Sequence, residues 1–222
     1  MKAAVPCAFL CTLLVGCGAG SGYSPKKSVP VEVAAVKPGL EDSLLPLKVG
    51  NQWVYTVTAG NTSREMTLKV TEVAKRGGAT FAKLATSTLG GRSAVSEWKL
   101  DASGIYQVST NGKDKFSPPQ LLVPFPLRSS SEVKVDTTGP LPTGRVARQI
   151  GSLRVLGTQE TDTDIGRFSG FAVLSELTWE DSSSSSVSWW TPGIGFVRQR
   201  QEIRGSKGAT VILMKLKSYS FP

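Results

Sequence analysis

Histidine is absent from the 222-residue sequence, and cysteine occurs only at Cys7, Cys11 and Cys17. Without histidine the chain cannot build a Ser-His-Asp or Cys-His catalytic arrangement, and most zinc sites are excluded as well. Carboxylate, lysine, serine and tyrosine side chains remain available for catalysis. The composition therefore argues against an enzyme, and we expect no catalytic residues, no metal site and no cofactor.

Long helical patterns are also missing, because no stretch repeats apolar residues at the i, i+3, i+4, i+7 spacing of an amphipathic helix. Period-two alternation is present instead. Trp53, Tyr55 and Val57 alternate with polar or small residues before a Gly60-Asn61 turn, which predicts a β-hairpin. Further strands follow at short, glycine-punctuated intervals. The pattern predicts a single all-β domain at 41–222, a twisted antiparallel sheet curled into a half-barrel or open barrel with little helix.

Two segments depart from this alternation. Residues 117–126 contain four prolines, and proline is excluded from central strands because it cannot donate a ladder hydrogen bond. Residues 182–186 are five consecutive serines, which we interpret as a flexible loop between two strands.

The N-terminus has the features of a bacterial export signal. Lys2 precedes a short apolar run at 3–15, which is shorter than the roughly 20 residues needed to span a bilayer. The run ends in Leu-Val-Gly-Cys at 14–17, which resembles the lipobox of bacterial lipoproteins. We therefore predict a signal peptide at 1–16, a lipidated Cys17, and a flexible Gly/Ser/Pro/Lys-rich tether at 17–40.

The resemblance also bears on location. A lipidated Cys17 would attach the protein to a membrane of the bacterial cell envelope. Gly18 stands where an aspartate usually retains lipoproteins at the inner membrane. In a double-membrane organism, the resemblance thus implies the periplasmic face of the outer membrane.

The formal net charge of +9 has two explanations. A well-solvated surface is the simpler one, and it is favoured because no dense Lys/Arg cluster is present. Attraction to anionic lipid headgroups or to an acidic partner is the alternative. A nucleic-acid partner is not expected outside the cytoplasm.

Glu160, Asp162 and Asp164 alternate with threonines, so a strand would place them on one face roughly 6.8 Å apart. Such a row could bind a hard cation or supply the acid and base of a glycan hydrolase. A solvated strand face explains the same spacing, and we favour it because calcium loops cluster their carboxylates more tightly.

The aromatic residues are the stronger candidates for a binding site. The motif WWTPGIGFV at 189–197 is the most distinctive in the chain, and alternation sends its two tryptophans to opposite faces. An aromatic residue on the inner face either fills the core or lines a groove for an apolar ligand. The candidate ligand-binding residues are Trp53, Tyr55, Trp98, Trp179 and Trp190.

Several motifs together resemble a widespread group of uncharacterised bacterial envelope lipoproteins. They are LPLKVGNQWVY at 45–55, LDASGIY at 100–106, PFPL at 124–127, WTPGIGFV at 190–197 and LKSY at 216–219. More distantly, the chain is similar to lipoprotein carriers of the LolA/LolB kind. That similarity implies a curved sheet whose concave apolar face holds an acyl chain, without catalytic residues.

The leading functional hypothesis is a membrane-anchored, non-catalytic envelope lipoprotein that binds a lipid, another apolar ligand or an envelope protein partner. One alternative is a structural or assembly component of an outer-membrane complex. Another is a carboxylate-dependent glycan hydrolase that uses Glu160, Asp162 or Asp164. A concave apolar cavity would favour ligand binding, whereas a filled barrel with a flat apolar patch would favour a partner.

Overall fold

The computed structural model describes residues 44–88, 93–141 and 144–222. The predicted signal peptide at 1–16, Cys17 and the tether at 17–40 lie outside these ranges. Most described residues belong to twelve strands: β1 Gln52–Ala59, β2 Thr62–Arg76, β3 Ala79–Thr88, β4 Ala94–Asp101, β5 Gly104–Thr110, β6 Asp114–Pro124, β7 Glu132–Pro140, β8 Val146–Thr163, β9 Gly166–Trp179, β10 Ser182–Thr191, β11 Gly195–Gly205 and β12 Gly208–Ser220. Within the described ranges no helix is present that is long and apolar enough to cross a membrane.

The strands form one closed antiparallel barrel in which each strand pairs with its neighbours in sequence. Closure is made by β1 and β12, which pair from Gln52 with Ser220 to Ala59 with Ile212. The all-β prediction is confirmed, but the predicted half-barrel or open barrel is wrong. Closure satisfies the backbone N–H and C=O groups that two free edges would leave exposed. The alternation of apolar residues could not reveal closure, because its period is two in open and in closed sheets.

The predicted first hairpin is confirmed in position and in orientation. Trp53, Tyr55 and Val57 are buried on β1, and Gly60 adopts a φ of +56° in the turn that follows. The same alternation buries Phe171, Val173, Leu177 and Trp179 on β9. These side chains point into the barrel, so the apolar set predicted on the first hairpin and a matching set on β9 form part of its interior.

The proline-rich segment, which we excluded from central strands, and the serine run, which we interpreted as a loop, both belong to paired strands of the barrel. Both predictions are wrong. Residues 117–126 contribute most of β6, which pairs with β7 only at Ser117 and Thr138. Its prolines explain this sparse ladder, because Pro118 and Pro119 have no N–H to donate. The serine run at 182–186 opens β10 and pairs on both sides, with β9 and with β11.

One end of the barrel is filled by a plug consisting of Leu44, Leu45, Trp53 and Tyr55, all nearly inaccessible to solvent. The plug lies where β1 begins, and its two leucines pack against the turn at Gly195.

The β8–β9 hairpin reinforces the same end of the barrel. Its β8 strand has a bulge between Val155 and Gly157, where Gly157 has a φ of +90°. Beyond the bulge, the Asp164 backbone N–H donates to the Leu216 carbonyl of β12 at 3.0 Å, and Arg198 of β11 donates to the Thr161 hydroxyl at 3.1 Å. These two hydrogen bonds thus connect the β8–β9 hairpin to β11 and β12, which are not its neighbours in the sheet.

Candidate functional site

The interior of the barrel contains a cavity of about 200 Å³, lined by side chains from β2 and from β4 through β12. More than half of the lining residues are apolar. They include Met66, Leu68, Trp98, Phe116, Leu141, Leu177, Trp179, Trp190, Phe196 and Met214. Inward positions alternate along most strands, whereas β6 contributes the consecutive residues Gln120, Leu121 and Leu122 to this wall.

Two tryptophans form an ordered aromatic surface on the cavity wall. The Trp98 indole N–H donates to the Ser96 hydroxyl at 3.1 Å, and the Trp190 indole N–H donates to the Ser188 hydroxyl at 2.9 Å. The two ring centroids lie 6.3 Å apart, and Trp190 also packs on Phe196 with centroids 5.3 Å apart. Because the polar N–H groups are already satisfied, the rings offer mainly their apolar faces to the cavity.

A polar, uncharged wall lies on β10 and β11. Ser184, Ser186 and Ser188 alternate along β10, and Gln199 and Gln201 face the cavity from β11. The Gln201 amide donates to the Ser184 hydroxyl at 2.9 Å, so part of this wall is internally hydrogen-bonded. Further polar residues on other strands complete the lining: Gln107, Thr110, Gln120, Gln149 and Ser175.

Charge is absent from the lining among the described residues, since no Asp, Glu, Lys or Arg side chain contributes to it. Burying an ionised group without a counter-charge or several hydrogen bonds is very unfavourable. The cavity is therefore suited to a neutral molecule with apolar and hydrogen-bonding parts.

The structure separates the five predicted ligand-binding residues into two groups. Trp98, Trp179 and Trp190 line the cavity. Trp53 and Tyr55 belong to the plug: the Trp53 indole N–H donates to the Ile194 carbonyl at 2.6 Å, and the Tyr55 hydroxyl donates to the Phe196 carbonyl at 2.9 Å. Burial raises the pKa of the Tyr55 hydroxyl well above its ordinary value.

The glutamines and serines of the cavity wall were not predicted from the sequence. A signal for some of them was present, because Ser184, Ser186, Ser188 and Trp190 follow one another at period two. The interpretation of the serine run as a loop concealed it. The glutamines are distributed over β5, β6, β8 and β11, so only the closed barrel brings them together.

The three carboxylates considered for catalysis lie away from the cavity. Glu160 and Asp162 are exposed near the end of β8, where both form ion pairs with Arg167 at 3.6 and 3.0 Å. Asp164 is in the turn after β8 and is also exposed. None of these three carboxylates contributes to the cavity wall.

Two solved structures share this fold. A candidate lipoprotein from Parabacteroides distasonis ATCC 8503 matches with a TM-score of 0.55 and 12% identity, covering 80% of this chain and 98% of that chain. A candidate exported protein with a YmcC-like fold from Bacteroides fragilis NCTC 9343 matches with a TM-score of 0.54 and 13% identity, over the same shares of each chain. No family model and no curated protein matches the sequence. At these identities the likeness shows the fold alone, and the LolA/LolB resemblance stays a prediction.

Proposed function

We propose that this protein is a non-catalytic, lipid-anchored lipoprotein of the bacterial cell envelope whose barrel binds a small, uncharged, largely apolar ligand in its interior. The uncharged cavity, with its ordered indole rings, is the observation that carries the ligand-binding part. The lipobox-like sequence ending at Cys17 supports the anchor. The descriptions of the two structural neighbours as a lipoprotein and an exported protein support the location.

The size of the cavity supports occupancy by a ligand. Protein interiors are close-packed, and voids larger than a water molecule are few. A molecule bound in the cavity of about 200 Å³ would remove its apolar lining from water and gain packing contacts with it. A cavity of about 150 Å³ is known to accommodate benzene, so this one suits a ligand, or the end of a larger ligand, somewhat bigger than benzene.

The anchor is tested by the Cys17→Ser variant. Replacement of the thiol removes the only acceptor for lipid in the predicted mature chain, and stable anchoring requires two or more acyl chains. We expect the wild-type protein to enter the detergent phase of a phase-separating detergent and the variant to remain in the aqueous phase. Equal partitioning of the two proteins would contradict lipidation at Cys17.

The cavity is tested with 1-aminonaphthalene, a neutral aromatic amine whose emission reports an apolar environment. We expect saturable binding to the full-length Cys17→Ser protein, and loss of binding in Ser186→Phe, because Ser186 lines the cavity. Ser185→Phe is the matched control, since Ser185 is exposed on the opposite face of β10.

Two results would reject the proposal. Binding that is unaffected by Ser186→Phe would place the probe outside the barrel. A complete lack of binding would leave the envelope protein partner as the replacement hypothesis. The melting temperature of both phenylalanine variants must be measured as well, because overpacking costs about 1–3 kcal/mol.

A further inference from the structure

Three polar residues of the cavity wall carry atoms that lack a hydrogen-bond partner among the described residues. They are the amide nitrogens of Gln107 and Gln149 and the hydroxyl of Thr110. These residues are 6%, 4% and 6% exposed, respectively. All three residues line the cavity, so they border the space that a ligand would occupy.

Unpartnered buried donors are unusual because removing a polar group from water without a new hydrogen bond is costly. Other polar groups of the same cavity do have partners. The Trp190 indole donates to Ser188, and the Gln201 amide donates to Ser184. Among the residues that line the cavity, the unpartnered buried atoms belong to Gln107, Thr110 and Gln149, on β5 and β8.

Gln107 lies beside the aromatic surface of the cavity, because it is the direct cross-strand partner of Trp98. Cross-strand partners have side chains on the same face of the sheet at close range. A molecule whose apolar part packs on the Trp98 ring can therefore place an oxygen atom within reach of the Gln107 amide.

We propose that the ligand is a neutral amphipathic molecule whose ester, amide or hydroxyl oxygens accept hydrogen bonds from the amides of Gln107 and Gln149. This inference rests on the proposed function and specifies the ligand class. The apolar part of the ligand packs against Trp98, Trp179 and Trp190. A fatty-acid carboxylate or a phosphate does not meet these conditions, because no cationic side chain lines the cavity in the part of the chain that the structure describes.

The test compares small probes of similar length on the full-length Cys17→Ser protein by titration calorimetry. Methyl octanoate carries a neutral ester, octanoate carries a charge at pH 8, and nonane has no polar group. We expect methyl octanoate to bind at least tenfold more tightly than octanoate. Nonane should bind weakly, because it packs on the indole rings but accepts no hydrogen bond.

The variants Gln107→Met and Gln149→Met test the two amides. Methionine has nearly the same length but cannot donate a hydrogen bond. Each substitution should weaken methyl octanoate binding about three- to tenfold, the range expected for one neutral hydrogen bond, and leave nonane binding unchanged within about twofold. Gln52→Met is the matched control, because Gln52 is a glutamine on β1 that does not line the cavity.

The outcomes separate this inference from the proposed function. If octanoate binds as tightly as methyl octanoate, the ligand class is wrong although the cavity still binds. If both methionine variants behave like Gln52→Met, the two amides are satisfied by water and the inference is overturned. If none of the three probes binds, the proposed ligand-binding function fails, and the inference fails with it.

Discussion

At the scale of single residues, Trp53 and Trp179 show that two buried aromatic side chains can have different surroundings. Both are predicted by alternation to face inward, and both are buried. Trp53 is packed within the plug, whereas Trp179 borders the cavity. Alternation predicts only the face of the sheet on which a side chain lies. Whether that face is filled depends on the summed side-chain volumes of all the strands, which no local pattern contains.

This difference predicts that Trp53→Ala and Trp179→Ala separate stability from binding. Trp53→Ala removes a fully packed side chain and should lower the free energy of unfolding by about 3–5 kcal/mol. Trp179→Ala should cost less, because part of its surface faces the cavity, but it should lose binding of 1-aminonaphthalene. Urea unfolding and probe titration measure the two effects. Equal destabilisation by both variants would contradict the distinction between plug and cavity.

Tyr55 makes stability depend on pH in the alkaline range. Burial raises its pKa in the folded state above its ordinary value of about 10. In the unfolded chain Tyr55 therefore loses its proton at lower pH than in the folded protein. Its contribution to stability is fully present below pH of about 10 and declines above it, by up to about 1.4 kcal/mol per pH unit.

Tyr55→Phe should remove this alkaline decline. At neutral pH it should also cost about 1 kcal/mol, because the Phe196 carbonyl loses its donor. Tyr219→Phe is the control, since Tyr219 is 43% exposed, and it should keep the wild-type slope. Urea unfolding from pH 8 to 11 provides the measurement, and identical slopes for Tyr55→Phe and wild type would exclude Tyr55 as the cause.

At the scale of elements, β10 shows how tertiary pairing overrides local preference. Five serines in succession have little strand propensity, yet Ser183 pairs with Thr178 of β9 on one side and with Arg204 of β11 on the other. The neighbouring strands supply ladder hydrogen bonds that a loop would lack. The same reasoning applies to the proline-rich β6, whose partners only the barrel specifies. Strands with strong alternation were predictable, whereas these two were not.

A second observation at this scale is the tight approach of β8 and β9 at Gly151. A Cβ atom added at this position would lie 1.8 Å from the Glu176 carbonyl oxygen, which belongs to the backbone of β9. The backbone cannot yield as a flexible side chain does, so glycine is required where the two strands meet.

Gly151→Ala should therefore destabilise the protein by about 1–3 kcal/mol or more through overpacking. Gly205→Ala is the matched control, because its added Cβ would meet only the Ser182 hydroxyl, at 3.1 Å. Thermal unfolding compares the two variants. A melting temperature for Gly151→Ala equal to that of Gly205→Ala would show that the β8–β9 pair has room to separate.

At the scale of the whole molecule, closure by β1 and β12 is the feature that places the cavity inside a barrel rather than on an open sheet. The sequence contains no direct signal for it, because the pairing joins segments more than 150 residues apart. The motifs LPLK at 45–48 and FPLR at 125–128 indicate two similar halves, since one precedes β1 of the set β1–β6 and the other precedes β7 of the set β7–β12. They do not indicate whether the two sets meet.

Amide hydrogen exchange provides a check on closure. In a closed barrel β1 and β12 have partners on both sides, so their amides should be protected as strongly as those of β9 and β10. In an open sheet, alternate amides of the two edge strands would face solvent and exchange quickly. Rapid exchange at alternate positions of 52–59 or 212–220 would contradict the closed barrel.

The interior binding site itself is tested most directly by the indole N–H resonances of the five tryptophans. Trp98, Trp179 and Trp190 line the cavity, whereas Trp53 lies in the plug and Trp189 is not among the lining residues. Single Trp→Phe variants would assign the signals. On titration with 1-aminonaphthalene we expect the indole signals of the three lining tryptophans to shift and saturate together, with those of Trp53 and Trp189 unchanged. Shifts confined to Trp53 or Trp189, or no shift at saturating probe, would show that the barrel interior is not a binding site.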